Sequence, residues 1–73
     1  MLNLPNSLKR IRKEYKILQK DIAKFLNIPL RTYQSYEYGE ALPNIETLDK
    51  LADYFDVSLD YLVGRSDNPK INK

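Results

Sequence analysis

The sequence contains neither cysteine nor histidine. Without cysteine there is no disulfide framework and no thiolate zinc site, and without histidine the commonest metal ligand and general base is missing. The remaining carboxylates, hydroxyls and amines form no recognisable catalytic motif. We therefore expect a protein that is not an enzyme and that uses no metal and no cofactor.

Long apolar runs are also absent, because the longest stretches are three residues, as at positions 61–63. A signal sequence or a membrane-spanning helix needs a far longer run, so we expect no membrane association and a cytoplasmic location. The 73 residues are 42% hydrophobic and 30% charged, which is typical of a small globular domain with one core. We assign residues 1–64 to this domain and residues 65–73 to a polar tail or the start of a linker.

Charge is unevenly distributed along the chain, although the formal net charge is only +2. Residues 1–24 contain seven basic and two acidic residues, a net charge of +5, whereas residues 37–60 contain one basic and seven acidic residues, a net charge of −6. Such segregation allows one face to approach a polyanion while the other avoids it, as in nucleic-acid binding. Two solvated helix faces of opposite sign would explain it equally well.

Glycine occurs only twice, and apolar residues recur at helical spacing, which predicts an all-α fold. Spacing and capping residues predict five helices: from residue 5 or 7 to 16, 19–26, 30–38, from an N-cap at 44 to about 56, and 59–63 capped by Ser58. The apolar stripe of the first helix comprises Leu8, Ile11, Tyr15 and Leu18. That of the fourth comprises Ile45, Leu48, Leu51, Ala52 and Phe55.

The second and third predicted helices are joined by Asn27, Ile28 and Pro29. Asparagine tolerates the left-handed conformation that ends helices, and proline suits the start of the next one. An eight-residue helix, a three-residue turn and a second short helix match the helix-turn-helix motif, whose second helix lies in the major groove of DNA. Helix arrangement and charge therefore favour the same kind of ligand.

Several short segments resemble one family. They are residues 8–12 (LKRIR), 19–23 (QKDIA), 36–39 (YEYG), 43–48 (PNIETL), 51–52 (LA) and 57–62 (VSLDYL). Together they resemble the Cro and phage-repressor type helix-turn-helix regulators, often called the XRE family, over residues 7–64. The resemblance implies a compact five-helix, lambda-repressor-like domain that binds operator DNA, usually as a two-fold dimer. Leu18 departs from the family's usual Ser, Thr or Asn N-cap, and Asn27 replaces its turn glycine.

The resemblance also implies which residues of the third helix read DNA. Leu30, Arg31 and Ser35 occupy the positions that usually reach base edges, and Gln34 is a further candidate. Arg31 is the strongest candidate because its guanidinium can donate two hydrogen bonds to the O6 and N7 atoms of guanine. Judged from this helix alone, all four could equally be ordinary solvated residues.

Two further positions correspond to phosphate contacts in the family. Gln19 begins the second helix, where backbone N–H groups and the helix dipole favour an anion. Tyr38 precedes the loop after the third helix, where a tyrosine could instead simply cover the protein surface. We expect both residues to contact the DNA backbone.

Arg12 and Glu37 are predicted to form a structural ion pair. Arg12 shares the buried stripe of the first helix with Leu8 and Ile11, and Glu37 follows Tyr33 on the inward stripe of the third helix. Opposite charges on two core-facing stripes are tolerated only if they meet. The resemblance implies the same pairing.

The last predicted helix carries more apolar surface than one side of a short helix needs. Leu59, Leu62 and Val63 are therefore predicted to form a homodimer interface. The sequence as a whole predicts a sequence-specific, double-stranded-DNA-binding transcriptional regulator, more specifically a repressor that binds a palindromic operator as a dimer. The alternative is a protein-interaction module of the same fold, such as an antitoxin or regulatory partner.

Overall fold

The structure of the protein, a computed structural model, describes residues 3–65. These residues form five α-helices and no β-strand: α1 Leu4–Glu14, α2 Gln19–Leu26, α3 Leu30–Tyr38, α4 Ile45–Phe55 and α5 Leu59–Leu62. The all-α, five-helix fold predicted from the apolar spacing is confirmed. Apart from Arg65, the predicted polar tail lies outside the described residues.

Every helix is closed by a residue with a left-handed backbone, namely Lys16, Asn27, Gly39, Asp56 and Gly64. After each of these residues the next N–H group donates to a carbonyl five residues back, as from Ile28 to Ala23 at 3.0 Å. Such closures satisfy carbonyl groups that a helix end leaves unpaired. They also turn the chain sharply, which lets short helices pack at steep angles.

Side-chain caps begin the last two helices as predicted. The side chain of Asn44 accepts a hydrogen bond from the N–H group of Thr47 at 2.8 Å. That of Ser58 accepts one from the N–H group of Tyr61 at 3.0 Å. Each bond satisfies a donor that the first helical turn cannot satisfy itself.

The first helix differs from the predicted one at both ends. It begins at Leu4, ends at Glu14 and is followed by Lys16 with a φ of 58°. Because the helix has ended, Tyr15 and Leu18 do not continue its buried stripe, and both side chains are exposed. The prediction that they share the stripe of Leu8 was wrong.

The core lies where the five helices converge and contains Leu8, Ile11, Ile22, Tyr33, Leu51, Phe55, Val57 and Leu62. Ile45, predicted to point inward, is instead 68% exposed. It is the first residue of α4 and therefore lies at the helix end, beyond the core. No helix within residues 3–65 has both the length and the apolar character needed to cross a membrane.

Candidate nucleic-acid interface

The second and third helices form a helix-turn-helix unit in direct contact with each other. Asn27 adopts φ 58° and ψ 46°, and Pro29 is the extended residue that precedes α3. Asparagine is one of the few residues that visit this left-handed region readily, and proline fixes the φ angle that the entry to α3 requires. The turn predicted at these residues is confirmed.

The outer face of α3 carries the side chains predicted to contact DNA. Leu30, Arg31 and Tyr38 are exposed, and Gln34 and Ser35 are half-buried beside them. The positions of Arg31, Gln34 and Ser35 place them within about one turn of each other on the same side of the helix. The structure therefore brings the predicted base-reading residues together on one surface.

The hydroxyl group of Ser35 is not fully available on this surface. Its Oγ donates to the backbone carbonyl of Thr32, one turn earlier in α3, at 2.6 Å. With its only hydrogen in use, the hydroxyl can still accept. In this rotamer Ser35 complements a base that presents an amino group to the major groove.

Beneath this surface, Arg12 of α1 and Glu37 of α3 form the predicted ion pair. The Nε atom of Arg12 lies 2.5 Å from Oε2 of Glu37, and its Nη2 atom donates to Oε1 at 3.1 Å. The remaining guanidinium nitrogen, Nη1, donates to the carbonyl of Ile17 at 3.0 Å. The pair thus ties α3 to α1 and to the segment that leads into α2.

Two further groups donate to the same carboxylate. The Tyr33 hydroxyl donates to Oε2 of Glu37 at 2.6 Å, and Nε2 of Gln19 donates to Oε1 at 3.0 Å. Glu37 is fully buried, so a full set of donors is needed to keep its charge stable there. The i, i+4 spacing of Tyr33 and Glu37 could have indicated the tyrosine donor from the sequence.

These contacts govern how the three ionisable groups titrate. Burial by itself would raise the pKa of the Glu37 carboxyl group, but the hydrogen bonds from Arg12, Tyr33 and Gln19 outweigh it and hold this pKa below its usual range. Burial, together with the hydrogen bond to Glu37, raises the pKa of Tyr33. The hydrogen bond to Glu37 raises the pKa of Arg12 despite burial. At neutral pH the cluster therefore consists of a carboxylate, a guanidinium and a neutral phenol.

Gln19, predicted to contact phosphate, has a second role that the sequence did not reveal. Its Oε1 atom accepts a hydrogen bond from Nε2 of Gln34 at 3.2 Å, while its own Nε2 donates to Glu37. One Nε2 hydrogen of Gln19 remains for an outside acceptor. As expected, Leu18 gives the start of α2 no side-chain cap, so this helix end also keeps N–H groups that an anion can use.

The predicted dimer residues lie in different environments. Leu62 faces the other helices, is 0% exposed and belongs to the core. It therefore has no free apolar surface for a dimer interface, and the prediction that it contributes to one was wrong. Leu59 and Val63 are half-buried at the edge of the core. Beside them, the Arg10 guanidinium lies 5.4 Å from the ring centre of Tyr61.

The acidic side chains of α4 and α5 form no metal site within the described chain. Residues 3–65 contain no group of three carboxylates close enough to hold an ion.

Comparison with known proteins places this geometry in a family. The helix-turn-helix family matches residues 8–62, from α1 to the end of α5. The chain belongs to the XRE-type helix-turn-helix regulators. It is 38% identical over 65 residues to the uncharacterized HTH-type transcriptional regulator YqaE of Bacillus subtilis, covering 89% of this chain and 56% of that protein. It is also 38% identical over 64 residues to the transcriptional repressor RstR of the cryptic phage CTXphi of Vibrio cholerae. This match covers 88% of this chain and 57% of that protein.

A solved structure agrees with the sequence comparison. The crystal structure of a transcriptional regulator from Listeria innocua superposes with a TM-score of 0.85 at 38% identity, covering 93% of this chain and 64% of that one. The chain spans little more than half the length of YqaE and RstR, the two curated relatives named above. These relatives are named as transcriptional regulators and not as enzymes.

Proposed function

We propose that the chain is the sequence-specific, double-stranded-DNA-binding part of a transcriptional repressor. The observation that carries the proposal is the exposed outer face of α3, on which Arg31, Gln34 and Ser35 lie together while the inner face is held by the Arg12–Glu37 pair. A rigid helix with polar side chains on one outer face suits the major groove. The family and the names of the relatives support the same function.

Arg31 is the residue we assign to direct base reading. It lies in the first turn of α3, and the N-terminal residues of a recognition helix are those that contact base edges. Within residues 3–65 it forms no ion pair with an acidic side chain. Its guanidinium can donate two hydrogen bonds to one guanine. Leu30 beside it is exposed and can pack on a thymine methyl group.

We assign contacts with the DNA backbone to the start of α2 and to the end of α3. Gln19 offers its second amide hydrogen, and the first N–H groups of α2 are uncapped by a side chain. Tyr38 is 60% exposed, so its hydroxyl is free to reach a phosphate. Contacts of this kind position a protein on DNA without reading its sequence.

The operator is proposed to be a near-palindrome bound by two copies. Half-sites read by successive major grooves lie about 34 Å apart, and a two-fold dimer presents its recognition helices in matching orientation. Leu59 and Val63 are the apolar side chains that we assign to contact between copies, without Leu62.

Selection of bound sequences from random duplex DNA at physiological salt tests the proposal. We expect a recurring motif with two-fold symmetry, bound by two copies. Affinity should fall steeply with salt, with a log–log slope of roughly −7 for about eight phosphate contacts per dimer. No preferred sequence and a slope near zero would instead favour a protein-interaction module, for which the exposed apolar side chains of Leu42 and Ile45 offer a starting surface.

A further inference from the structure

A continuous chain of hydrogen bonds leads from the core to the outer face of α3. Glu37 is its buried end, Gln19 is its middle member and Gln34 is its outer end. The distances are 3.0 Å from Gln19 Nε2 to Glu37 Oε1 and 3.2 Å from Gln34 Nε2 to Gln19 Oε1. We call these three residues the amide relay.

The buried end of the amide relay fixes the direction of every bond in it. An ionised carboxylate can only accept hydrogen bonds, so Gln19 must turn its NH₂ group towards Glu37. Its oxygen then faces the opposite way and must receive a donor, which is the NH₂ group of Gln34. The oxygen of Gln34 and its second amide hydrogen are left over, since the described residues give Gln34 no other partner.

An amide group with a fixed orientation discriminates better than one that can rotate by half a turn. A free glutamine side chain exchanges its donor and acceptor ends at little cost, and so matches a base edge in only one of two states. Holding it in one state removes this ambiguity before DNA binds. The left-over acceptor and donor of Gln34 match the N6 amino group and the N7 atom of adenine.

We propose that Gln34 reads an adenine and that Gln19 and Glu37 are positioning residues which fix its amide group for that purpose. The inference rests on the proposed DNA-binding function and assigns a second base to the same surface. Gln34 lies three residues after Arg31, nearly one turn further along the helix, so the adenine belongs next to the guanine read by Arg31. Specificity at the surface is thereby set in part by a charge in the core.

The first experiment measures binding to a panel of duplexes that differ from the selected operator by single base pairs. The wild-type protein should prefer A·T at one position per half-site by tenfold or more, and Gln34→Met should abolish that preference. Gln19→Met keeps Gln34 but removes its anchor, so it should lower the same preference severalfold. In both variants the preference at the position of Arg31 should remain.

Lys20→Met is the matched control because Lys20 is exposed in the same turn of α2 and lies outside the amide relay. It should weaken binding to every duplex alike and leave the A·T preference intact. The double variant with methionine at positions 19 and 34 should lose no more A·T preference than Gln34→Met alone. If Gln19→Met behaves like Lys20→Met, Gln19 is only a phosphate contact and the inference is overturned.

A measurement without DNA separates this inference from the proposed function. In the free protein, the side-chain NH₂ resonances of Gln34 should shift in Gln19→Met and stay unchanged in Lys20→Met. Unchanged Gln34 resonances in both variants would overturn the amide relay even if the protein selects an operator. A wild-type protein without any sequence preference would overturn the proposed function, and the reading role of Gln34 with it.

Discussion

The inner and outer faces of α3 are built on opposite physical principles. On the inner face, Tyr33 and Glu37 are buried and hydrogen-bonded to each other, and no buried side-chain nitrogen or oxygen within residues 3–65 lacks a partner. On the outer face, Leu30, Arg31 and Tyr38 are exposed. The inner face fixes where the helix lies, while the outer face is free to meet a ligand. Substitutions on the inner face should therefore lower the stability of the fold, whereas substitutions on the outer face should lower DNA binding.

The largest effect is expected from breaking the ion pair on the inner face. Arg12→Met or Glu37→Leu alone leaves one buried charge without its partner and should lower the free energy of unfolding by about 3 to 5 kcal/mol. The double variant removes both charges and should lose much less than the sum. Urea denaturation of all four proteins gives the coupling energy. Strictly additive losses would mean that the two side chains do not stabilise each other.

Acid should weaken the inner face by a smaller amount, because protonated Glu37 keeps part of its hydrogen bonding. The pKa of Glu37 is lower in the folded protein than in the unfolded chain, so its contribution is complete above the unfolded value of about 4.3. It is lost as the pH falls below that value and through the folded pKa. Thermal unfolding between pH 7 and 2 measures the loss. Glu37→Gln should flatten this part of the profile, and an identical profile in wild type and variant would contradict the assignment.

The outer face should respond in binding and not in stability. Arg31→Ala is expected to cost about 1 to 3 kcal/mol on the best operator and to relax preference at one base pair per half-site, a G·C pair. Its unfolding midpoint should stay close to that of the wild type, since the side chain is exposed. Binding to the single-base panel at fixed salt is the measurement. An equal loss on every duplex would show that Arg31 contacts phosphate instead.

The contrast between the faces also explains what the sequence could predict. The caps at Asn44 and Ser58, the left-handed closure at Asn27 and the placing of Arg12 and Glu37 on inward stripes follow from local rules, which refer to residues within a turn or two of each other. The left-handed closures at Lys16 and Asp56 were not predicted, because neither residue type indicates this conformation. The contact from Gln34 to Gln19 joins residues 15 positions apart on two helices. It depends on the angle between those helices and on side-chain rotamers, neither of which a spacing pattern contains.

The wrong predictions for Leu62 and Ile45 also arise because a spacing pattern contains no information about how helices pack together. Leu62 and Val63 are neighbours in sequence, yet only Leu62 is fully buried. The sequence could not distinguish them, because a four-residue helix has too few positions for a periodic pattern to indicate its inner side. Ile45 continues the spacing of α4 but lies at its very start, where no neighbouring helix covers it. Periodicity predicts the direction of a side chain and not the extent of the core.

The smallest expected effect concerns helix ends that belong to neither face. Lys16 and Asn27 both have a φ of 58°, but a lysine Cβ is strained in this region while asparagine tolerates it. Lys16→Gly should therefore raise the free energy of unfolding by about 0.5 to 1 kcal/mol, and Asn27→Gly by less, because glycine also increases the freedom of the unfolded chain. Lys16→Ala removes the same charge while keeping the Cβ, so it should give no such gain. Urea midpoints of the three variants measure the differences, and both glycine variants should keep the base preference of the wild type. If Lys16→Ala raises the free energy of unfolding as much as Lys16→Gly does, the lysine charge and not the left-handed backbone is what destabilises the protein at this position.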